Sequence, residues 1–433
     1  MPKTDEKTKC LEKLDVWQLQ GLLWMMQAEK AGSGRGFVIA DRMGSGKTHQ
    51  SCALLKVSPM SDAPTLVICP SPCVVFWRDA LRWMTGTPPY VMVPGCTANL
   101  YAGPGDVVVA SHSFFKTPPS NSWTSAMHAA ELLEVQWARV IVDEAHKVLR
   151  DDSMSRRKLD KIQARVRWAL SGCSASGATP RHFNDVSSWT GSRHGDVLVR
   201  KGLSSTTEVR TVRLSFATER EAAMSSSMHA VREEVGRTME ATLRCRQICA
   251  DINVFVNAVR VQAAFGESES KCAVKCAELV RQDLLVDVGD VRGTKVRYIT
   301  DTVLRSAPDE RFVIFCSWRR EVDEVYRALF STGVKCVKLT GNMSATRQTS
   351  TVDAFDDDDA GMRYKALILT MSVGVAGLNL QAADHVIVTS PQFDRFTELQ
   401  AAARVDRKGQ TKETRFTRLV IEGTVDEEIY IKV

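Results

Sequence analysis

Short apolar runs, rich in β-branched residues and bounded by glycine, proline or polar clusters, recur along the first part of the chain. They are Phe37-Val-Ile, Thr65-Leu-Val-Ile-Cys69, Asp106-Val-Val-Val-Ala110, Val140-Ile-Val142 and Arg167-Trp-Ala-Leu-Ser171. Most lack the alternation of a half-exposed strand, and helix-like or loop segments separate them, so they predict a parallel sheet covered on both faces. A second series, Phe312-Val-Ile-Phe315, Val334-Lys-Cys-Val-Lys338, Ala366-Leu-Ile-Leu-Thr370 and His385-Val-Ile-Val-Thr389, predicts a second α/β lobe. Between them, residues 211–290 read as helical, with few breakers from Thr218 to Val256 and a polar interruption from Gly266 to Lys271. The expected division is therefore a first lobe over 1–210, a helical linking region over 211–290 and a second lobe over 291–433. The acidic run Asp356 to Asp359 reads as a solvated loop after a helix.

Composition narrows this picture only slightly. A chain of 433 residues, 44% of them apolar, can build two or three cores. A net charge of +6 permits nucleic-acid binding without requiring it. The amino terminus is charged, and no stretch approaches the roughly 18 apolar residues of a membrane span. Neither secretion nor membrane insertion is expected. Twelve scattered cysteines suit reduced thiols in an intracellular compartment, whether cytoplasm, nucleus or a viral replication site. Cys245, Cys249, Cys272 and Cys276 form two pairs with three residues inside each, and four thiolates could hold zinc. That spacing is equally one helical turn, and structural zinc pairs more often enclose two residues, so the helical reading is preferred.

Two segments carry chemistry. In Phe37-Val-Ile-Ala-Asp41-Arg-Met43-Gly44-Ser45-Gly46-Lys47-Thr48 a buried strand turns through glycines into a helix, the pattern of a loop that cradles phosphate. Gly44 and Gly46 let backbone amides close on phosphate oxygens, Lys47 reaches the outer phosphates, and the Thr48 hydroxyl can ligate magnesium. Asp41, Met43 and Ser45 complete the expected nucleotide-binding set, Asp41 standing where the usual pattern has its first glycine. The second segment, Trp137 to His146, is an apolar strand ending in paired carboxylates: Asp143 is expected to hold magnesium and Glu144 to orient the attacking water.

Read in order, the motifs resemble the Swi/Snf-type branch of the superfamily-two helicase-like ATPases over almost the whole chain. Leu14-Asp-Val-Trp17-Gln18 is similar to that family's adenine-reading segment, which implies base contact for Gln18, whose amide can both donate and accept. Leu66 to Arg78, with its Pro70-Ser71-Pro72 turn, and Asp106 to His112 resemble the segments that approach the DNA backbone, implying phosphate contacts for Ser71 and Ser111. Ser171-Gly172-Cys173-Ser174 departs from the family's Thr-Gly-Thr-Pro, which leaves the coupling role implied for Ser171 and His146 less complete. Thr242 to Cys249 resembles the Leu-Arg-Gln-Ile-Cys helix of this branch.

In the second half, Thr370 to Leu380 resembles the glycine-rich motif near nucleotide and DNA, which implies contacts for Gly377 and Asn379. Gln400-Ala-Ala-Ala-Arg404-Val-Asp-Arg407-Lys-Gly-Gln410 resembles the family's arginine signature. Arg404 and Arg407 fall three apart on a helix and are expected to clamp the transferring phosphoryl group, with Gln400 in coupling. The resemblance implies two RecA-like lobes with ATP and magnesium in the cleft and double-stranded DNA as track. A strand-separating DNA or RNA helicase and a non-catalytic DNA-binding scaffold are the alternatives.

Overall fold

A computed structural model of the chain describes residues 6–31, 36–41, 44–93, 102–115, 130–150, 153–172, 180–192, 196–199, 208–264, 270–283, 292–343, 345–357, 363–374, 378, 380–393, 395–406 and 410–432. Two compact units result, Met1–Ser204 and Ser205–Val433.

Among its described residues the first unit holds seven parallel strands: β1 (Phe37–Ile39), β2 (Thr65–Cys69), β3 (Tyr90–Met92), β4 (Val107–Ser111), β5 (Trp137–Val142), β6 (Ala164–Leu170) and β7 (Val197–Leu198), in the order β3-β4-β2-β5-β6-β1-β7. Every residue of β2 and β5 is buried, including Arg139 within β5. Successive residues feed opposite cores. Val67 and Cys69 meet Leu54 and Trp77 of the helices Lys47–Val57 and Val74–Thr85, whereas Leu66 and Ile68 pack with Phe114 and Trp137. Such two-sided burial is what places crossover helices on both faces of a parallel sheet.

The second unit builds its own parallel sheet from β8 (Glu208–Leu214), β9 (Phe312–Cys316), β10 (Cys336–Leu339), β11 (Ala366–Thr370), β12 (His385–Val388) and β13 (Arg415–Ile421), ordered β10-β11-β9-β12-β13-β8. Strand β8 departs from the sequence reading, because the stretch expected to be helical from 211 begins inside it. Its seven residues pair in register with all seven of β13, so tertiary pairing decides the conformation of a segment whose arginines weaken its strand signature. The helices that follow span Glu219–Glu234, Met239–Ala250, Ile252–Ala264 and Lys271–Asp283. Thr218 and Thr238 cap the first two through their hydroxyls. These helices share one core with Ile421, Val425 and Ile429 from the end of the chain.

All four cysteines of the two pairs are buried in that helical core. Cys245 and Cys276 both turn to Met228, and among the described residues no cluster of three or more His, Cys, Asp or Glu side chains is arranged to hold a metal ion. Nor is any described helix long and apolar enough to cross a membrane.

Asp251 ends the helix Met239–Ala250 and accepts hydrogen bonds from the amides of Asn253 (2.7 Å) and Gly293 (3.0 Å). At 1% exposure, burial outweighs those bonds and pushes its pKa from 3.8 up to about 7. Because the native carboxyl keeps its proton where the unfolded one has lost it, its contribution is full below about pH 4 and is lost as pH rises to about 7, on the order of 4 kcal/mol. Asp251→Asn is expected to flatten that slope, read as denaturant midpoints over the same pH range. An unchanged slope would place its origin elsewhere.

Candidate nucleotide site

The positions singled out in the first unit lie where its parallel strands end. The loop Ala40–Gly46 follows β1, Ser71 follows β2, Ser111 closes β4, Asp143 and Glu144 follow β5, and Ser171 follows β6. In an open parallel sheet the carboxyl ends of the strands open the crevice that receives ligands, so topology gathers residues far apart in sequence along one edge.

Within the loop, Gly44 and Gly46 take left-handed backbone, with φ of 76° and 80°. Gly46 precedes the helix Lys47–Val57 with no side-chain cap, so the first amides of that helix have no capping side chain. Lys47 donates from Nζ to the Asp41 carbonyl at 2.8 Å, and the Ser51 hydroxyl donates to the Lys47 carbonyl at 3.0 Å. The Ser45 Oγ is buried and makes no hydrogen bond among the described residues. A buried hydroxyl without a partner among the described residues, beside a helix start with no side-chain cap, is a costly arrangement for a protein alone and a suitable one for an incoming oxyanion. Met43 lies outside the described residues.

Gln18 sits beside the loop rather than in it. Its Oε1 accepts from the Asp15 amide at 3.2 Å while its own amide donates to Asp15 Oδ1 at 2.7 Å, a capping box at the start of the helix Val16–Lys30. Its Nε2 occupies the space a side chain at Gly46 would need, 2.1 Å from the position of that missing Cβ.

Asp143 is held at both oxygens: Oδ2 accepts from Trp77 Nε1 at 2.8 Å and Oδ1 from the Glu144 amide at 2.9 Å. Burial, then the neighbouring Glu144 carboxylate, pushes its pKa up to about 6, while the Trp77 hydrogen bond and the Lys47 charge pull the other way. Glu144 adopts left-handed backbone, φ 47° and ψ 45°, which is uncommon for a glutamate and costs about 1–3 kcal/mol. Its Oε2 lies 3.6 Å from His146 Nδ1, which is also 3.1 Å from the Ser171 Oγ. Carboxylate, imidazole and hydroxyl thus meet across the ends of β5 and β6. Ser71 and Ser111 hydroxyls meet at 2.6 Å.

Trp77 is not singled out by the sequence as part of this corner. It is fully buried, and an indole N–H so placed needs an acceptor, a signal that pointed to a nearby polar group without naming Asp143. The donor chemistry of this corner fits magnesium. Carboxylate and hydroxyl oxygens are hard ligands, Asp143 keeps lone pairs beyond its two hydrogen bonds, and an ion that retains water and shares phosphate oxygens needs few protein donors.

In the second unit the helix Arg395–Val405 carries Gln400, buried, and Arg404 in its last turn, whose carbonyl accepts from the Leu380 amide at 3.1 Å. Gly374 faces Phe315 so closely that a Cβ would fall 2.2 Å from the ring. Gln410 donates from Nε2 to the carbonyls of Gln381 (3.1 Å) and Ala383 (2.8 Å), tying the end of the signature back to the loop before β12. Gly377, Asn379 and Arg407 lie outside the described residues, as do Cys173 and Ser174.

Residues 17–176 match the SNF2-related domain and residues 294–409 the helicase conserved C-terminal domain. Similar curated proteins include the probable global transactivator of Orgyia pseudotsugata multicapsid polyhedrosis virus, 24% identical over 96% of this chain and 88% of that protein. The chromatin structure-remodeling complex subunit snf21 of Schizosaccharomyces pombe is 23% identical over 96% of this chain but 38% of its own length. The DNA repair protein rhp54 of the same organism is 22% identical over 91% of this chain and 54% of its own length. The chain therefore spans most of the viral relative and about half or less of those two cellular ones. Among solved structures, the Pyrococcus furiosus Hef helicase domain shares the fold, with a TM-score of 0.54, 16% identity and 98% of each chain covered.

Proposed function

The chain belongs to the SNF2-related branch of helicase-like ATPases, with two parallel-sheet α/β lobes, and from that premise we propose that it is an ATP-driven translocase on double-stranded DNA. The observation that carries the proposal is the phosphate loop: two left-handed glycines, a helix start with no side-chain cap, a lysine ammonium and a buried serine hydroxyl with no partner among the described residues converge beside the Asp143–Glu144 strand end. In this reading the loop amides, Ser45 and Lys47 bind the outer phosphates of ATP, and Gln18 lies against the base. Thr48 and Asp143 would hold magnesium, which supplies neutralisation of phosphate charge when bound. Glu144 accepts a hydrogen bond from the attacking water and orients it, its strained backbone fixing the carboxylate's direction. Arg404 and Arg407, from the second lobe, stabilise the charge that builds on the transferring phosphoryl group. His146, bridging Glu144 and Ser171, relays the state of the carboxylate to the end of β6, with Gln400 in the same coupling. Ser71, Ser111 and Asn379 face the DNA backbone, and an intracellular, reducing compartment suits the free thiols.

The test is ATP turnover with no polymer, single-stranded DNA, duplex DNA and duplex RNA, paired with displacement of a triplex-forming strand from a blunt duplex. Duplex DNA is expected to stimulate most, with the third strand released and the duplex intact. Release of single strands would instead establish a strand-separating helicase, and turnover absent under all conditions would establish a scaffold.

A further inference from the structure

Arg246, in the helix Met239–Ala250, is 5% exposed, and no carboxylate forms a salt bridge with it among the described residues. Its guanidinium lies between two rings, 4.6 Å from the Phe393 centroid and 5.4 Å from that of Trp318, and donates from Nη2 to the Pro391 carbonyl at 2.7 Å. Its Nε makes no hydrogen bond among the described residues. A buried cation without a direct salt bridge is expensive, and burial lowers its pKa although the charges of Asp426, Glu321 and Glu398 act the other way. Planar stacking on two aromatic faces is what offsets the cost, and lysine cannot reproduce it.

What the guanidinium grips is a turn. Residues Ser390 to Phe393 leave β12 and lead directly into the helix Arg395–Val405 that carries Gln400 and Arg404. The turn is pinned from other sides as well. Lys295 Nζ donates to the Ser390 Oγ at 2.9 Å, Gln392 Nε2 donates to the Ser317 Oγ at 3.2 Å, and the Gln392 amide donates to Glu398 Oε1 at 2.9 Å. Glu398 is in turn paired with Arg418 of β13. Each of those contacts holds the turn through one polar atom, whereas Arg246 holds two of its four residues, one through a carbonyl and one through a ring face.

We infer that Arg246 is a positioning residue for hydrolysis: by clamping Pro391 and Phe393 it fixes the direction of the helix Arg395–Val405 and so the placement of Arg404. This rests on the proposed role of Arg404 in the reaction. Sequence alone marks Arg246 as part of a helix, and only the fold brings it to Pro391, 145 residues later.

The experiment measures steady-state and single-turnover ATP hydrolysis by the full chain carrying R246A, R246K, F393A, R404A and the R246A/R404A pair, with thermal melting of each. R246A is expected to lower kcat about tenfold or more while the KM for ATP stays within about twofold, because the residue acts on placement and not on ground-state binding. R246K should recover less than half of the loss. In the R404A background, R246A should cost nothing further. F393A, which removes one ring face from a side chain 48% exposed, should show the same kcat loss, and with R246K it carries the test if R246A does not fold. Parental turnover of R246A or F393A alongside an inactive R404A overturns the inference and leaves the role of Arg404 standing. Losses that multiply in the double variant overturn it likewise. Parental turnover of R404A overturns both.

Discussion

Lys47→Ala is expected to abolish ATP turnover, with a loss of roughly 10² to 10³ or more, the scale on which removing one preorganised electrostatic contact slows a reaction. The side chain is already poised, since its Nζ sits 2.8 Å from the Asp41 carbonyl in the loop that the two left-handed glycines shape. A carbonyl is a neutral acceptor that an anionic phosphate oxygen can replace, so the ammonium moves little when the ligand arrives. Alanine keeps the helix start, being the best helix former, and removes only the charge. Phosphate release is the measurement, with the melting temperature as control: the variant should melt within a few degrees of the parent. Hydrolysis at the parental rate would refute the assignment of the loop.

Arg139→Ala is expected to cost about 3–5 kcal/mol of stability, the range found when one partner of a buried ion pair is removed. Arg139 lies in the middle of β5 with its side chain 1% exposed, and Glu29, on the helix Val16–Lys30, is 5% exposed. The guanidinium meets both carboxylate oxygens, at 2.6 and 2.5 Å, and the Ser58 carbonyl at 2.7 Å, while Trp168 donates to the same carboxylate at 2.9 Å. Truncation strands the buried Glu29 carboxylate with the Trp168 indole as its remaining donor among the described residues. For a unit of this size such a loss lowers the melting temperature by about 10 °C. Replacing both residues by leucine should be milder than the single change, because the unpaired charge goes with its partner. A single variant within about 1 kcal/mol of the parent would show that Glu29 finds water or another donor.

Strand positions were legible wherever apolar runs are unbroken. The runs Thr65–Cys69 and Ala366–Thr370 coincide with β2 and β11 to the residue, and Val140–Val142 lies within the longer β5. Legibility failed where pairing, not composition, makes the strand. Strand β8 places three charged residues in seven positions and sits at a sheet edge, and β13 opens on Arg415 and encloses Arg418, whose burial is tolerable only because Glu398 receives it. Motif spacing proposes the candidate site side chains of the first lobe. It does not propose their mutual contacts: the His146–Ser171 bond and the Trp77–Asp143 bond each join separate strands or helices, and nothing in local sequence encodes that distance.

The amide of Gln18 resting in the void at Gly46 has a consequence for selectivity. In the proposed reading the loop binds phosphates and Gln18 lies against the base, and the Gln18 side chain fills the space beside Gly46, so the two are in direct steric contact. On that proposal, a base that displaces Gln18 would be felt as a displaced phosphate loop, and selection among nucleobases would act through the shape of the loop as well as through hydrogen bonds.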